Sequence, residues 1–174
     1  MEESKKLKLY LLILNRYKEL INEKETRTIG EIKERIKPHH PFIENMKSSL
    51  IPKDYKCDFA VVLSKLLSFM SRIETVELAI NFWFEFEEIV EIEAADAANK
   101  AILFVSLLRS LGSDSAKVII TKSGEYYASF VHSGKTHLFS PKTNSLLVDE
   151  DALRVLSSDP PRHVFNDVEY ENLE

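Results

Sequence analysis

Asp96-Ala97-Ala98-Asn99-Lys100-Ala101-Ile102-Leu103-Phe104-Val105-Ser106-Leu107-Leu108-Arg109-Ser110-Leu111-Gly112 is the stretch on which the reading of the chain turns. Ala101, Leu103, Phe104, Leu107, Leu108 and Leu111 recur at steps of three and four, which predicts a helix with a broad apolar face, buried on most sides. Asp96 is placed to cap its start. Arg109 falls in the last turn and Gly112 can take the left-handed position that closes a helix, so both ends are marked.

Downstream of Gly112 the pattern changes from helix to strand. Ala116 to Thr121 is a β-branched run, Lys122-Ser123-Gly124-Glu125 reads as a turn, and Tyr126 to His132 predicts a second strand. Ser133-Gly134-Lys135 reads as a hairpin turn, Thr136 to Phe139 as a third strand ending at Ser140-Pro141, and Leu146 to Val148 as a short fourth. Asp149 to Leu156 has helical spacing, ended by the paired prolines between Ser157 and Arg162. The acidic stretch from Asn166 to Glu174 is expected to be frayed or covered by a partner. A central helix followed by an antiparallel meander predicts an α+β fold with the sheet packed on that helix.

Upstream, Val76, Leu78, Ile80, Phe82, Phe84 and Phe86 fall on even numbers, a period that by itself favours a strand. Before it, Phe59, Val62, Leu63, Leu66, Leu67 and Met70 predict a helix from about Asp58 to Arg72, introduced by Ile51-Pro52 and Asp54. Thr28 and Glu31 have capping-box spacing ahead of a short helix through Ile29, Ile32 and Ile36, which Pro38 stops. His39 and His40, held between Pro38 and Pro41, read as a solvated turn: adjacent side chains in an extended loop point apart, and no carboxylate or cysteine stands at metal-ligand spacing.

The first helix, from Ser4 to about Glu25, sets Leu7, Tyr10, Leu11, Leu14 and Ile21 on one face. Leu9, Leu12 and Ile13 project away from the Leu7-Leu11-Leu14 line. The helix is therefore either buried on two sides or an interface for a second copy or another protein.

At 174 residues and 44% hydrophobic, the chain is long enough for one well-buried core and short for two domains. Its 23 basic and 28 acidic residues are mixed, giving a net charge of −5 and no long basic face, which disfavours nucleic acid as a partner. The apolar run Leu9 to Leu14 is far shorter than the roughly 20 residues that span a bilayer. A single cysteine, Cys57, permits no internal disulfide, and the N-terminus has no leader of secretory type, so a reducing cytoplasm is the expected location. Cys57 opens the Asp58 helix but has no histidine near it in sequence, and reads as structural or incidental. The absence of glutamine, only 4 glycines and 29% charged residues lean towards a heat-adapted or archaeal source.

A buried helix entered through Gly-Asp-Cys is the centre of the transglutaminase-like superfamily, a branch of the papain-like cysteine enzymes. The stretch from Asp96 to Gly112 resembles it, with Ala97 where that family has its nucleophilic cysteine. Bacterial and archaeal members carry a tryptophan and a Pro-Glu-Glu turn of helix before the Gly-Asp-Cys. Trp83, Glu87 and Glu88 stand in those places, with Phe86 for the proline, which implies a loop and short helix here rather than a strand. In the family the helix N-terminus favours the thiolate and the developing oxyanion, a histidine on the next strand takes the proton, and an aspartate one strand later orients the imidazole. The resemblance, which spans about Trp83 to Leu146, puts the histidine on or near Tyr127 and the aspartate of its Asp-Pro on Ser140.

All three roles are thus expected to be vacant, with Ala97, Tyr127 and Ser140 as vestigial positions on adjacent elements facing one cleft. Trp83, Asp96, His132 and His137 are the further candidates for that cleft, and neither cofactor nor metal is implied. The expected layout is an N-terminal helical extension over 1–55 packed on the core, a transglutaminase-like domain over 56–165 and an acidic tail over 166–174. The expected role is a non-catalytic binding or structural module for a protein or peptide, with self-association through the first helix. The alternative is a cysteine-dependent transglutaminase, amidase or protease whose nucleophile has been replaced by alanine, or one that uses Cys57 with His132 or His137.

Overall fold

The computed structural model describes residues 2–20, 29–51, 58–78 and 82–173. Cys57, the Thr28 cap, Pro52, Asp54, Ile21 and Ile80 lie outside them. In chain order the elements are α1 (Glu2–Leu20), α2 (Ile29–Lys33), α3 (Pro41–Leu50), α4 (Phe59–Arg72), β1 (Glu74–Thr75), α5 (Phe86–Ile92), β2 (Ala94–Ala95), α6 (Ala97–Ser110), β3 (Lys117–Thr121), β4 (Tyr126–His132), β5 (Lys135–Ser140), β6 (Ser145–Val148), α7 (Glu150–Ser158), β7 (Pro161–Phe165) and β8 (Tyr170–Asn172). No described helix is long and apolar enough to cross a membrane.

Helix α6 starts and stops where its sequence says it should. Asp96 Oδ1 accepts from the Asn99 amide at 2.7 Å, satisfying one of the free donors of the first turn. At the other end the Gly112 amide bonds the Arg109 carbonyl and the Ser113 amide bonds that of Leu108, both at 3.0 Å, a Schellman closure made possible by the φ of 89° at Gly112. From Asn99 to Leu108 every side chain is buried, so the helix is covered on all sides rather than along one stripe.

It lies on one face of a six-stranded antiparallel sheet of order β6-β5-β4-β3-β7-β8. That face presents Val118, Ile120, Ala128, Phe130, Phe139 and Phe165, and the Phe104 ring of α6 stacks on Phe139 with centroids 4.3 Å apart. Each such aromatic contributes about 1.5–3 kcal/mol by leaving water. The other face is smaller: Ile119, Leu138, Tyr127, Leu147 and Val164 pack under Ala152, Val155 and Leu156 of α7. Between β4 and β5 the two-residue turn has positive φ at both Ser133 (51°) and Gly134 (73°), the mirror-image turn whose twist suits a hairpin.

Several expectations are corrected. Residues 41–50 form a helix where only a solvated turn between Pro38 and Pro41 was expected; Pro41 is its first residue, where a missing amide costs nothing, and His40 Nδ1 accepts from the Phe42 amide at 3.3 Å. His40 is therefore a helix cap, while His39 stays exposed. The chain beyond Pro160 adds two strands that the sequence reading did not foresee. Strand β7 inserts beside β3, with Pro161 at its first position, where a strand tolerates proline, and Tyr170–Asn172 of the acidic tail pairs with β7 as an edge strand. The N-terminal helices need no such correction: Leu9, Ile13, Ile43 and Leu50 pack in the same core cluster as α6. Residues 82–85 are irregular and lead into α5, the loop and short helix implied by the Trp83, Glu87 and Glu88 spacing.

Candidate functional site

The N-terminus of α6 opens into a cleft of about 270 Å³ whose walls include Thr75, Leu78, Asp96, Ala97, Tyr126 and Lys142. Three segments distant in sequence meet here. The 74–76 segment is held by the parallel pairing of β1 with β2, Glu74 with Ala94 and Thr75 with Ala95. Strand β4 supplies Tyr126, and the chain leaving β5 supplies Lys142.

Asn99 fastens the entry loop to the helix. Its Nδ2 donates to the Phe82 carbonyl at 2.7 Å and to Asp96 Oδ1 at 2.9 Å, and its Oδ1 accepts from the Phe84 amide at 3.0 Å. Asp96 is thus both helix cap and cleft wall. Burial lifts its carboxyl above the ordinary value, against the opposing effect of the Asn99 hydrogen bonds. Tyr126 is likewise raised, first by burial and then by the nearby Asp96 charge, so it holds its proton throughout the neutral range. Lys142, hydrogen-bonded to Glu125 at 2.6 Å, is held above its ordinary value.

Behind the cleft lies a group that the sequence reading missed. Lys100, one turn into α6, is fully buried. Its Nζ donates to the Ile73 carbonyl at 2.8 Å, Thr75 Oγ1 at 2.7 Å and Asn144 Oδ1 at 2.6 Å. All three acceptors are neutral, and burial lowers its pKa to about 8. Thr75 Oγ1 in turn donates to the Pro141 carbonyl at 2.5 Å. A lysine inside an otherwise apolar helical run was the available signal, because a charge there must find partners.

The expected site residues are only partly brought together. Ala97 and Asp96 line the cleft. Tyr127 does not: the side chains of β4 alternate, Tyr126 faces α6, and Tyr127 packs on the far side of the sheet under α7. Ser140 shares that far side with Leu138, because Phe139 between them faces α6. Tyr126, the neighbour of Tyr127, is the residue that shares the cleft with Ala97.

His132 and His137 are elsewhere as well. His132 lies six residues along β4 from Tyr126, about 20 Å at the rise of an extended strand, with its ring 4.5 Å from that of Phe59. His137 stacks on Phe130 at 4.8 Å, and its Nδ1 lies 3.1 Å from the Lys135 carbonyl. Both rings pack in the sheet's far end rather than at Ala97. Trp83 lines a separate, much smaller depression with Arg35, Lys37 and Ile102. Among the described residues no three His, Cys, Asp or Glu side chains are grouped so as to hold a metal ion.

Among solved structures, the calcium-bound LapG of Legionella pneumophila is similar, with a TM-score of 0.57 and 16% sequence identity over 76% of each chain. No family model and no curated protein matches the sequence. At this identity the likeness speaks for the fold, which is the α+β transglutaminase-like fold.

Proposed function

We propose that this transglutaminase-like protein is a pseudoenzyme that carries no thiol chemistry and uses the cleft beside Ala97 as a binding surface for a peptide or protein segment. The observation behind the reading is the pairing across the cleft. A methyl group stands at the first position of α6, where this fold places its nucleophile, and it faces a tyrosine, Tyr126, with a raised pKa. A methyl group has no lone pair to attack a carbonyl, and a phenol that keeps its proton cannot serve as a base near neutral pH. What remains is an open recess with apolar walls at Val76, Leu78 and Ala98 and charged groups at its rim, the composition of a binding site.

The test rebuilds the missing chemistry one residue at a time. Ala97→Cys alone should be alkylated by iodoacetamide at neutral pH within about threefold of a free cysteine, because no imidazole stands near it. Adding Tyr126→His should speed alkylation by roughly tenfold, since an imidazole beside the new thiol favours the thiolate, while adding Tyr127→His should change nothing. Fast alkylation of the single variant would reveal a base already in place. The chain would then read as a cysteine-dependent protease, amidase or transglutaminase whose nucleophile has been replaced.

A further inference from the structure

A single hydroxyl ties two walls of the cleft together. Thr75 Oγ1 donates its proton to the Pro141 carbonyl at 2.5 Å, which joins the β1 wall to the segment that carries Lys142. The same oxygen accepts from Lys100 Nζ at 2.7 Å. The other two N–H bonds of that ammonium go to the Ile73 carbonyl at 2.8 Å and to Asn144 Oδ1 at 2.6 Å, so its three protons meet three acceptors.

Loss of one proton to water changes what this cage needs. A neutral amine keeps two N–H bonds and gains a lone pair, which accepts from a donor and repels an acceptor. The Ile73 carbonyl cannot donate. Asn144 would have to turn its whole amide over to present its nitrogen. The Thr75 hydroxyl needs only a rotation about its Cβ–Oγ1 bond, and that rotation takes its proton away from Pro141. Pro141 is buried, so its freed carbonyl is paired again only when water reaches it and the two walls part.

The titratable groups around the cage are engaged elsewhere. Glu74 pairs with Lys5 at 3.4 Å and Glu125 with Lys142 at 2.6 Å, and the charge of Glu77 acts on Lys142. Asp96, one turn earlier on α6, bonds the Asn99 amide, and Tyr126 on β4 keeps its proton through the neutral range. No carboxylate holds the charge on Lys100, and burial alone lowers its pKa to about 8.

We propose that Lys100 is a proton switch for the cleft: its ammonium keeps Thr75 bonded to Pro141 and the two walls joined, and its neutral amine turns the Thr75 hydroxyl inward and releases them. As regulation of the binding surface beside Ala97 the switch rests on that reading of the cleft; the exchange of hydrogen bonds itself requires no ligand.

Carbon-13 NMR of the full chain from about pH 6 to about pH 9.5 tests it without any binding partner. The Pro141 carbonyl carbon, which reports its own hydrogen bond, and the Lys100 ε-carbon should shift together with one midpoint at about 8. In Thr75→Val the ε-carbon should still titrate, at a lower midpoint because the ammonium has lost an acceptor, while the Pro141 carbonyl stays flat. Thr75→Ser, which keeps the hydroxyl, should keep the joint step. A Pro141 carbonyl that stays flat in the parent while Lys100 titrates would mean that Asn144 turns instead, and overturns the proposal. So does a Pro141 step that persists in Thr75→Val, or a Lys100 that keeps its proton across the whole range. A flat carbonyl removes the switch and leaves the pseudoenzyme reading standing, whereas fast alkylation of Ala97→Cys overturns that reading and leaves the joint step where it is.

Discussion

The ammonium of Lys100 lies 2.7 Å from the hydroxyl oxygen of Thr75, and through it α6 is tied to the β1 segment that forms one wall of the cleft. The same nitrogen holds Asn144 in the turn after β5, so one side chain fixes three pieces of the cleft's surroundings. Burial lowers this lysine from 10.5 to about 8. The unfolded chain therefore binds the proton more tightly than the native one. Native stability rises with pH from about 8 towards 10.5, by a total of roughly 3 kcal/mol. Lys100→Met removes that rise. Urea unfolding at about pH 7 and about pH 10 should show the parent gaining on the variant by roughly 2–3 kcal/mol, and a gap that stays constant with pH would mean that folding does not lower the pKa of Lys100.

Asp96 behaves in the opposite sense. Its folded pKa lies above the ordinary 3.8, so the native state holds the proton more tightly, and stability drawn from this group is present in acid and lost as pH rises through the raised value. Asp96→Asn keeps an oxygen to accept from the Asn99 amide and removes the buried charge. At neutral pH it should match or exceed the parent in thermal midpoint, with the advantage vanishing as pH falls towards 3.8. Asp96→Ala, which loses the cap, should cost about 1 kcal/mol.

The two stripes of α1 separate core from surface. Leu9→Glu or Ile13→Glu places a carboxylate among packed apolar side chains and should cost more than about 4 kcal/mol, enough to unfold a marginal domain. Leu7→Glu, on the exposed stripe, should change stability by no more than about 0.5 kcal/mol. Urea midpoints of the three variants give the comparison. A Leu9→Glu protein as stable as the parent would mean that this helix does not close the core.

Helix α6, the β3-β4-β5-β6 meander and the turns between them were legible in the amino-acid sequence, because each depends on neighbours a few residues away: Asp96 on Asn99, Gly112 on Arg109, Ser133-Gly134 on the strands beside it. The short helix α5 needed the resemblance around Trp83, since the even-numbered apolar residues from Val76 to Phe86 that lead into it imitate a strand. Which face a residue takes was another matter. Tyr126 and Tyr127 are alike in local sequence, and a period of two says that they point to opposite sides without saying which side meets α6. Only the packing of Phe104 against Phe130 and Phe139 decided that, and with it the residue opposite Ala97. The same holds for α1, where leucines at 7, 9, 11, 12 and 14 draw two overlapping stripes, and the core chose the one that includes Leu9 and Ile13. Strand β7 and the partners of the Lys100 amine lay beyond local reading. The partners of β7 on β3 and of Lys100 at Ile73 and Asn144 stand dozens of residues away, and only chain closure brings them within bonding distance.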